Sequence, residues 1–413
     1  MRICMLVTTD ISNDPRVTKE STALAAFGHR VSVIGIYRDG NEAKNEIRDG
    51  VELERHDLWH MRLVRWLKSL RGRSASQGMF VSASQDTDVV GSKISIIVVS
   101  FLHQLQFVLH VAVTFLVFAM AALKHPADIY HAHDFDTLLP ALFAGRLRKK
   151  RVIYDSHEYW YNERRDEIVS NAIIRWVERF GAPRCVQVFA VNESIAERMA
   201  DHYGIAKPVI LMNVPADVPT QAPAPLASDQ PIQVLYHGGY TAGRGLESLV
   251  DAMALVKSPA TLTFRGYGDI ELALRAQARA AGLTDIIKFE KPVPMRELSR
   301  TATACQIGII PYTKRVAEFA LPNKIFEYMA AGLALVANDL TEFRRIVVGF
   351  QLGETCNTED PVEIARAIDD LAGNYQYLNE CRLRSWMVYH ELFTWDKHKH
   401  VLLATYSEID HKE

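Results

Sequence analysis

The sequence predicts an α/β protein made of two doubly wound, Rossmann-like halves. Short apolar runs bounded by turn residues alternate with segments of helical periodicity, the pattern of parallel strands joined by crossover helices. The series runs once from residue 3 and begins again near Ile232. At 413 residues, the chain is long enough for two or three domains, each with its own core.

In the first series the strands are 3–7, 30–36, 51–55, 129–131, 151–154 and 186–191, and 15–28 is a helix ended by Gly28. The opening run Met1-Arg-Ile-Cys-Met-Leu-Val-Thr8 is too short for a signal peptide and leads into a helix rather than a cleavage site. It reads as a buried first strand. In the second series the strands are 234–237, 260–265, 286–289, 307–311 and 334–337, with a helix at 245–255. The Ala-Pro-Ala-Pro-Leu stretch within 215–231 has no periodicity and reads as a linker. A last helix begins at Phe393-Thr-Trp395 and runs to about Ile409. The expected domains are therefore 1–215, 216–390 and a C-terminal helix at 391–413.

Composition excludes several classes. Apolar residues at 48% and charged residues at 23% are ordinary for a globular protein. A net charge of -2 gives no sign of a nucleic-acid binder. The five cysteines have no paired spacing, which argues against a disulfide framework or a zinc site and for a reducing compartment.

Residues 61–123 form an insertion of different character. Met61-Arg-Leu-Val-Arg-Trp-Leu-Lys-Ser-Leu-Arg-Gly-Arg73 is basic and amphipathic, and suits an anionic membrane surface. Residues 74–92 are polar and read as a loop. Residues 94–123 lack Lys, Arg, Asp and Glu and are long enough to span a bilayer. They also contain His103, Gln104, Gln106 and His110 and run straight into the 129–131 strand. A helix packed on the sheet with one face in the membrane interface is favoured over a single span. Burial within the protein or a dimer is the bland alternative.

Ligands of doubly wound domains sit beyond the carboxyl ends of the strands, so candidate residues are sought there. In Leu321-Pro-Asn-Lys-Ile-Phe-Glu-Tyr-Met-Ala-Ala-Gly-Leu333, Asn323 is a good N-cap. Lys324 and Glu327 share one face of the first turn. A helix start with a lysine suits a diphosphate, and a carboxylate there suits a ribose. A surface Lys–Glu pair is the alternative. Tyr236-His-Gly-Gly-Tyr-Thr-Ala-Gly-Arg-Gly245 is a glycine-rich strand-to-helix loop containing Gly239 and Arg244. Asp128-Ile-Tyr-His-Ala-His-Asp134 ends a strand with His131 and His133 on one side, followed by Asp134. Tyr154-Asp-Ser-His-Glu158 ends another, with His157 and Glu158 as contacts and helix capping by Asp155 or Ser156 as the alternative. Arg16 begins a helix after the first strand and is read as an anion contact.

These segments together resemble the retaining glycosyltransferases of the GT-B fold, in particular glycosyltransferase family 4. The resemblance implies a role for each residue. Glu327 would hold the nucleotide ribose, with Asn323 beside it. Gly239, Arg244 and Lys324 would hold the donor diphosphate. Gly266, in Arg265-Gly-Tyr-Gly-Asp269, and Val293, in Phe289-Glu-Lys-Pro-Val-Pro294, would line the base pocket. His133, with His131 as its rival and Asp134 next to it, would approach the donor sugar. Arg16, His157 and Glu158 would lie on the acceptor side. The late helix would cross back to the N-terminal domain.

The chain departs from the family pattern in two places. Phe319 stands where a donor-contacting glutamate is usual, and Tyr240 where an arginine is usual. The implied reaction moves a sugar, with retention, from a nucleotide-sugar co-substrate, a UDP- or GDP-sugar, to a hydroxyl acceptor. The acceptor expected is a lipid-linked or other saccharide in polysaccharide biosynthesis. No cofactor and no metal are expected, since Asp86-Thr-Asp88 matches a metal motif by spelling but falls in a polar segment. The expected location is the cytoplasm, peripherally on the cytoplasmic face of the inner membrane. A nucleotide-sugar 2-epimerase and a degenerate, non-catalytic membrane scaffold are the alternatives.

Overall fold

The computed structural model describes residues 1–11, 14–37, 43–58, 89–159, 168–227 and 231–411, with side chains except at 89–103 and 168. The chain divides into two compact units. Unit 1 comprises Met1–Ala190, Ala196–Ile210 and Leu402–Glu413, and unit 2 comprises Val191–Ile195 and Leu211–Val401.

Unit 1 contains β1 (Arg2–Leu6), α1 (Pro15–Ala26), β2 (Arg30–Ile36), β3 (Asn45–Arg48), β4 (Val51–His56), α2 (Val89–Lys124), β5 (Ile129–His133), α3 (Phe135–Arg148), β6 (Arg151–Ser156), α4 (Ile168–Gly181), β7 (Gln187–Ala190), most of α5 (Glu193–Tyr203) and β8 (Val209–Ile210). Its eight-stranded sheet has the order β3-β4-β2-β1-β5-β6-β7-β8. Among the described residues only the β3–β4 pair is antiparallel. The chain reverses direction across the sheet between β1 and β5, which makes their carboxyl ends the switch point where ligands bind in such folds. In β1, Ile3, Cys4, Met5 and Leu6 are buried, and that is why the strand reads as an unbroken apolar run.

Unit 2 contains β9 (Ile232–Gly239), α6 (Leu246–Met253), β10 (Ala260–Tyr267), α7 (Glu271–Ala280), β11 (Ile287–Glu290), α8 (Leu298–Ala302), β12 (Ile307–Ile310), α9 (Lys314–Ala317), α10 (Lys324–Ala330), β13 (Ala334–Asn338), α11 (Thr341–Val347), β14 (Gly353–Cys356), α12 (Pro361–Ala372), α13 (Tyr375–Leu392) and the start of α14 (Trp395–His411). Its six strands are all parallel in the order β11-β10-β9-β12-β13-β14. The switch point lies between β9 and β12.

Each predicted strand is present, within a few residues. The edge strand β3 escapes sequence reading because it is Asn-Glu-Ile-Arg with its one apolar side chain, Ile47, 77% exposed. The expected linker is a correction. Its described part belongs to unit 2 and lies along α13. Tyr389 donates to the Pro215 carbonyl at 2.7 Å, Arg382 to the Ala224 carbonyl at 3.0 Å, and the Leu226 N–H to Asn379 at 3.0 Å. A proline-rich segment keeps its carbonyl acceptors while losing N–H donors, and α13 supplies donors to them.

The apolar segment of the insertion is one helix. α2 has 36 residues, a length of about 54 Å at the α-helical rise. Its Gln104–Lys124 portion is long and apolar enough to cross a membrane, and 39% of its apolar window is buried inside the protein. Phe107, Val113 and Phe118 face inward, whereas Leu105, Leu109, Leu116 and Met120 are exposed. The basic stretch 61–73 and Asp86-Thr-Asp88 lie outside the described residues.

Candidate functional site

Unit 1 gathers a buried charge network at the switch point. β5 delivers His131 and His133 from the same side of the strand, with rings stacked at 4.3 Å. β6 delivers Asp155, and α1 delivers Arg16 and Glu20. Arg16 grips both Asp155 oxygens, at 2.7 and 2.6 Å, and approaches Glu20 at 3.0 Å. His133 Nδ1 lies 3.3 Å from Asp155 and 3.1 Å from His157 Nε2. His157 reaches Asp155 at 3.2 Å and Asp134 at 3.3 Å, and its backbone N–H donates to Asp134 at 3.0 Å.

Asp134 is held at φ 64°, a conformation that costs a non-glycine residue energy. At the N-cap position of α3 its side chain makes no cap bond and turns to His157. His131 is occupied differently: its Nδ1 meets the Tyr406 hydroxyl of α14 at 2.8 Å. The two histidines that sequence left as rivals are thus separated by their partners.

Charge follows from burial and neighbours. Burial, then His133, holds His131 well below the usual histidine range, and burial also lowers His133. Burial would lower His157 too, but Asp134 and Asp155 overcome it and raise it to about 9. Burial would raise Asp155, but Arg16 and His157 hold it well below the carboxylate range. Burial, with Asp155 nearby, pushes Glu20 up to about 8. His157 therefore carries the histidine positive charge, and His133 is its neutral neighbour. Glu20, His131, His133 and Asp155 bring four ligand-type atoms within 4.8 Å of one another, but Arg16 already occupies both carboxylates.

Arg16 corrects its sequence reading. It is 2% exposed, and the anion it meets is the internal Asp155. Asp155 likewise pairs with Arg16 rather than capping a helix. Glu158 is exposed at the rim.

Raising the pH is expected to weaken this network. A histidine ionises near 6.5 when unfolded and His157 at about 9 when folded. Its contribution is complete below the first value and lost as pH rises through the second. The melting-temperature gap between wild type and His157→Gln should therefore shrink from about pH 6 to about pH 9.5. A constant gap would rule out this assignment.

Unit 2 offers the second cluster, at the β9/β12 switch point. Lys324, on the first turn of α10, is 6% exposed. Among the described residues its Nζ has no hydrogen-bond partner, and it sits 4.1 Å above the Tyr236 ring and 4.6 Å from the Tyr312 ring. Burial, reinforced by Arg244, holds this amine well below the usual lysine range. Arg244 donates to the Gly239 carbonyl at 3.1 Å and lies 5.1 Å from the Tyr312 ring. Gly238 adopts φ 128°, and a Cβ there would come within 3.1 Å of Lys324 Nζ. A Cβ on Gly266 would strike the Gly238 carbonyl at 1.9 Å, so these glycines let β9, β10 and the amine converge.

Glu327 meets His237 Nε2 at 2.6 Å and, like Lys324, is buried, so the two are not a surface pair. His237, whose backbone N–H donates to Tyr328 at 3.0 Å, was not singled out from sequence. Its place directly before Gly238 was the available signal. Asn323 occupies the N-cap position of α10 in helical conformation with no side-chain cap bond, contrary to expectation. Here Pro322 starts the turn, its carbonyl accepting from Ile325 at 3.1 Å. Tyr240 is fully buried against Phe264 and Phe289, a core role. Phe319 is half-buried and its carbonyl accepts from Asn192 at 2.8 Å. Val293 is half-buried in the loop after β11.

Comparison with known proteins gives a consistent result. Residues 15–213 match the family described as glycosyl transferase 4-like domain, and residues 231–374 match glycosyl transferases group 1. The chain is 26% identical over 131 residues to a probable glycosyltransferase, WbjE, of Pseudomonas aeruginosa; the match covers 31% of this chain and 32% of that protein. The chain thus spans about a third of that curated relative. Among solved structures, sucrose-phosphate synthase from Thermosynechococcus elongatus superposes with a TM-score of 0.71 at 15% identity, covering 100% of both chains. Anabaena HepE in complex with UDP and glucose gives 0.66 at 15% identity, covering 99% of this chain and 100% of that one.

Proposed function

The chain belongs to the group 1 glycosyl transferases and has their GT-B fold, and from that premise we propose that it moves a sugar from a nucleoside-diphosphate donor to a hydroxyl acceptor with retention. The observation that carries the proposal is the buried Lys324 amine with no acceptor, beside Arg244 and against the backbone of Gly238 and Gly239. A buried amine that lacks an acceptor and sits beside a guanidinium is a seat for an anion, which supplies the acceptor and favours the charged form.

In this reading Lys324, Arg244 and Gly239 hold the diphosphate. Glu327, steadied by His237, takes the ribose hydroxyls, and Gly266 and Val293 lie by the base. UDP is the favoured nucleotide, because HepE is described with UDP. As the sugar–phosphate bond breaks, two electrons leave with the diphosphate. The cationic side chains stabilise that leaving group, with no metal required. The acceptor hydroxyl attacks the anomeric carbon from the face the diphosphate leaves and gives its proton to a diphosphate oxygen. His133 is assigned to the sugar, positioned by Asp155 and His157, with Asp134 orienting His157 and His131 behind it. His157, the histidine of this network whose side chain reaches solvent, is assigned with Glu158 to the acceptor side. The acceptor is a lipid-linked saccharide of polysaccharide biosynthesis, met at the cytoplasmic face of the inner membrane by the 61–123 insertion.

Thermal-shift titration with UDP, GDP, ADP and dTDP, with and without EDTA, tests this. One nucleotide is expected to stabilise the protein regardless of EDTA. Glu327→Ala should weaken its binding by roughly tenfold to a hundredfold, the loss of a charge-assisted hydrogen bond. A silent panel would favour a non-catalytic scaffold instead. Unchanged affinity in Glu327→Ala would remove only the ribose assignment.

A further inference from the structure

Helices α2, α3 and α4 leave an open channel of about 1040 Å³ in unit 1. Its apolar lining includes Phe115 and Leu116 of α2, Leu142 and Phe143 of α3, and Trp176 and Phe180 of α4. Leu116 and Trp176 are 57% and 59% exposed. Trp176 stacks on Phe180 at 5.5 Å. The same face of α2 continues through exposed Leu105, Leu109 and Met120. An apolar surface this continuous is not left to water without a use.

Four cations, Arg146, Lys150, Arg151 and Arg184, also line the channel, and no acid does among the described residues. Arg151 opens β6, Lys150, which also pairs with Asp128 at 3.2 Å, precedes it, and Arg184 with Val186 precedes β7. The basic end therefore lies at the amino ends of these strands. His133 and Asp155 stand at the carboxyl ends of β5 and β6, so the channel is separate from the charge network already described.

We infer that this face docks on a bilayer containing anionic phospholipid, the channel taking a lipid acyl chain and the cations its phosphate. The occupant is set by charge complementarity. A lipid offers one anionic group joined to a linear apolar chain, which matches a channel that is apolar along its length and cationic at one end. A second copy would bring the same cations against these, and like charges would oppose the pairing. The exposed Trp176 beside Phe180 suits the headgroup level, where amphipathic aromatic rings settle. The inference rests on the membrane-surface part of the proposed function and is independent of the transfer chemistry.

The test is flotation of the full chain with vesicles of phosphatidylcholine alone or mixed with phosphatidylglycerol. The mixed vesicles should carry the protein and the neutral ones should carry far less. Each cation near an anionic surface contributes about fivefold to partitioning, so Arg146→Gln with Arg184→Gln should weaken it about thirtyfold. Leu116→Glu with Trp176→Glu should abolish flotation on both compositions. A circular-dichroism melt matching wild type confirms that each variant is folded. Deletion of 61–88 should leave flotation on the mixed vesicles in place.

Wild-type flotation by both channel variants would overturn the inference. If the 61–88 deletion alone abolished binding, the membrane reading would stand and the channel would not be the anchor. A fall in oligomer mass in Leu116→Glu/Trp176→Glu, with flotation unchanged, would make the channel an interface between copies and equally overturn it. None of these readouts uses a nucleotide, so a silent nucleotide panel does not bear on the channel.

Discussion

Replacing Lys324 with methionine is expected to stabilise the ligand-free protein while weakening nucleoside-diphosphate binding by about thirtyfold or more. Both effects come from one fact: the Lys324 amine is buried, has no hydrogen-bond acceptor and faces Arg244. Leaving a buried polar group unsatisfied costs about 1–3 kcal/mol, and an apolar side chain of the same length removes that cost. Methionine keeps the length of the side chain over Tyr236 and Tyr312. A charge-assisted hydrogen bond to phosphate is worth about 1.5–3 kcal/mol, and its loss lowers affinity accordingly. The depressed Lys324 adds a proton signature. Its folded form binds fewer protons than an unfolded lysine, so its share of stability is lost as pH falls from about 10.4 toward the lower folded value. An arriving diphosphate restores the positive charge and draws in a proton. Calorimetric titration in two buffers of different ionisation enthalpy should show that uptake, and Lys324→Met should lose it. A variant that is less stable than wild type and binds nucleotide unchanged would dismiss the anion seat.

Asp155→Ala is expected to cost about 3–5 kcal/mol, the cost of stranding one partner of a buried ion pair. The group left short is Arg16, which loses both bonds at 2.7 and 2.6 Å and keeps Glu20, itself held close to neutral, at 3.0 Å. The loss spreads further because Asp155 also holds His133 and His157. With one of its two carboxylates gone, His157 should titrate below about 9, which an NMR pH titration would follow. Urea unfolding measures the stability change. The double change Arg16→Met with Asp155→Leu should recover much of it, since it removes both charges together. A cost under about 1 kcal/mol for Asp155→Ala would show that the pair is not a structural keystone.

Much of the unit 2 cluster was legible from sequence because it depends on local features. The glycines at 238, 239 and 266, the lysine and glutamate on the first turn of α10, and the apolar strands before them are all short-range signals. Partner identity was not legible. Nothing in the spacing of Lys324 and Glu327 says that one turns to Tyr236 and Tyr312 and the other to His237, because β9 and α10 are about ninety residues apart. The choice between His131 and His133 needed Tyr406, more distant still. Arg16 reads as a surface residue at a helix start until β6 brings Asp155 against it.

The sequence by itself determined the α/β class, the two series of parallel strands and the strand ends where ligands bind, because hydrophobic periodicity and glycine placement act over a few residues. It also determined that α2 would be continuous and apolar. Only the tertiary structure decided which charges are neutralised and which are left waiting. It spent Arg16 on Asp155, raised His157 between two carboxylates, laid the proline-rich segment along α13, and left Lys324 without an acceptor. It also set Arg146, Lys150, Arg151 and Arg184 around the channel of α2, α3 and α4. Ionisation and burial are properties of a surrounding volume, and that volume is filled by residues from many parts of the chain.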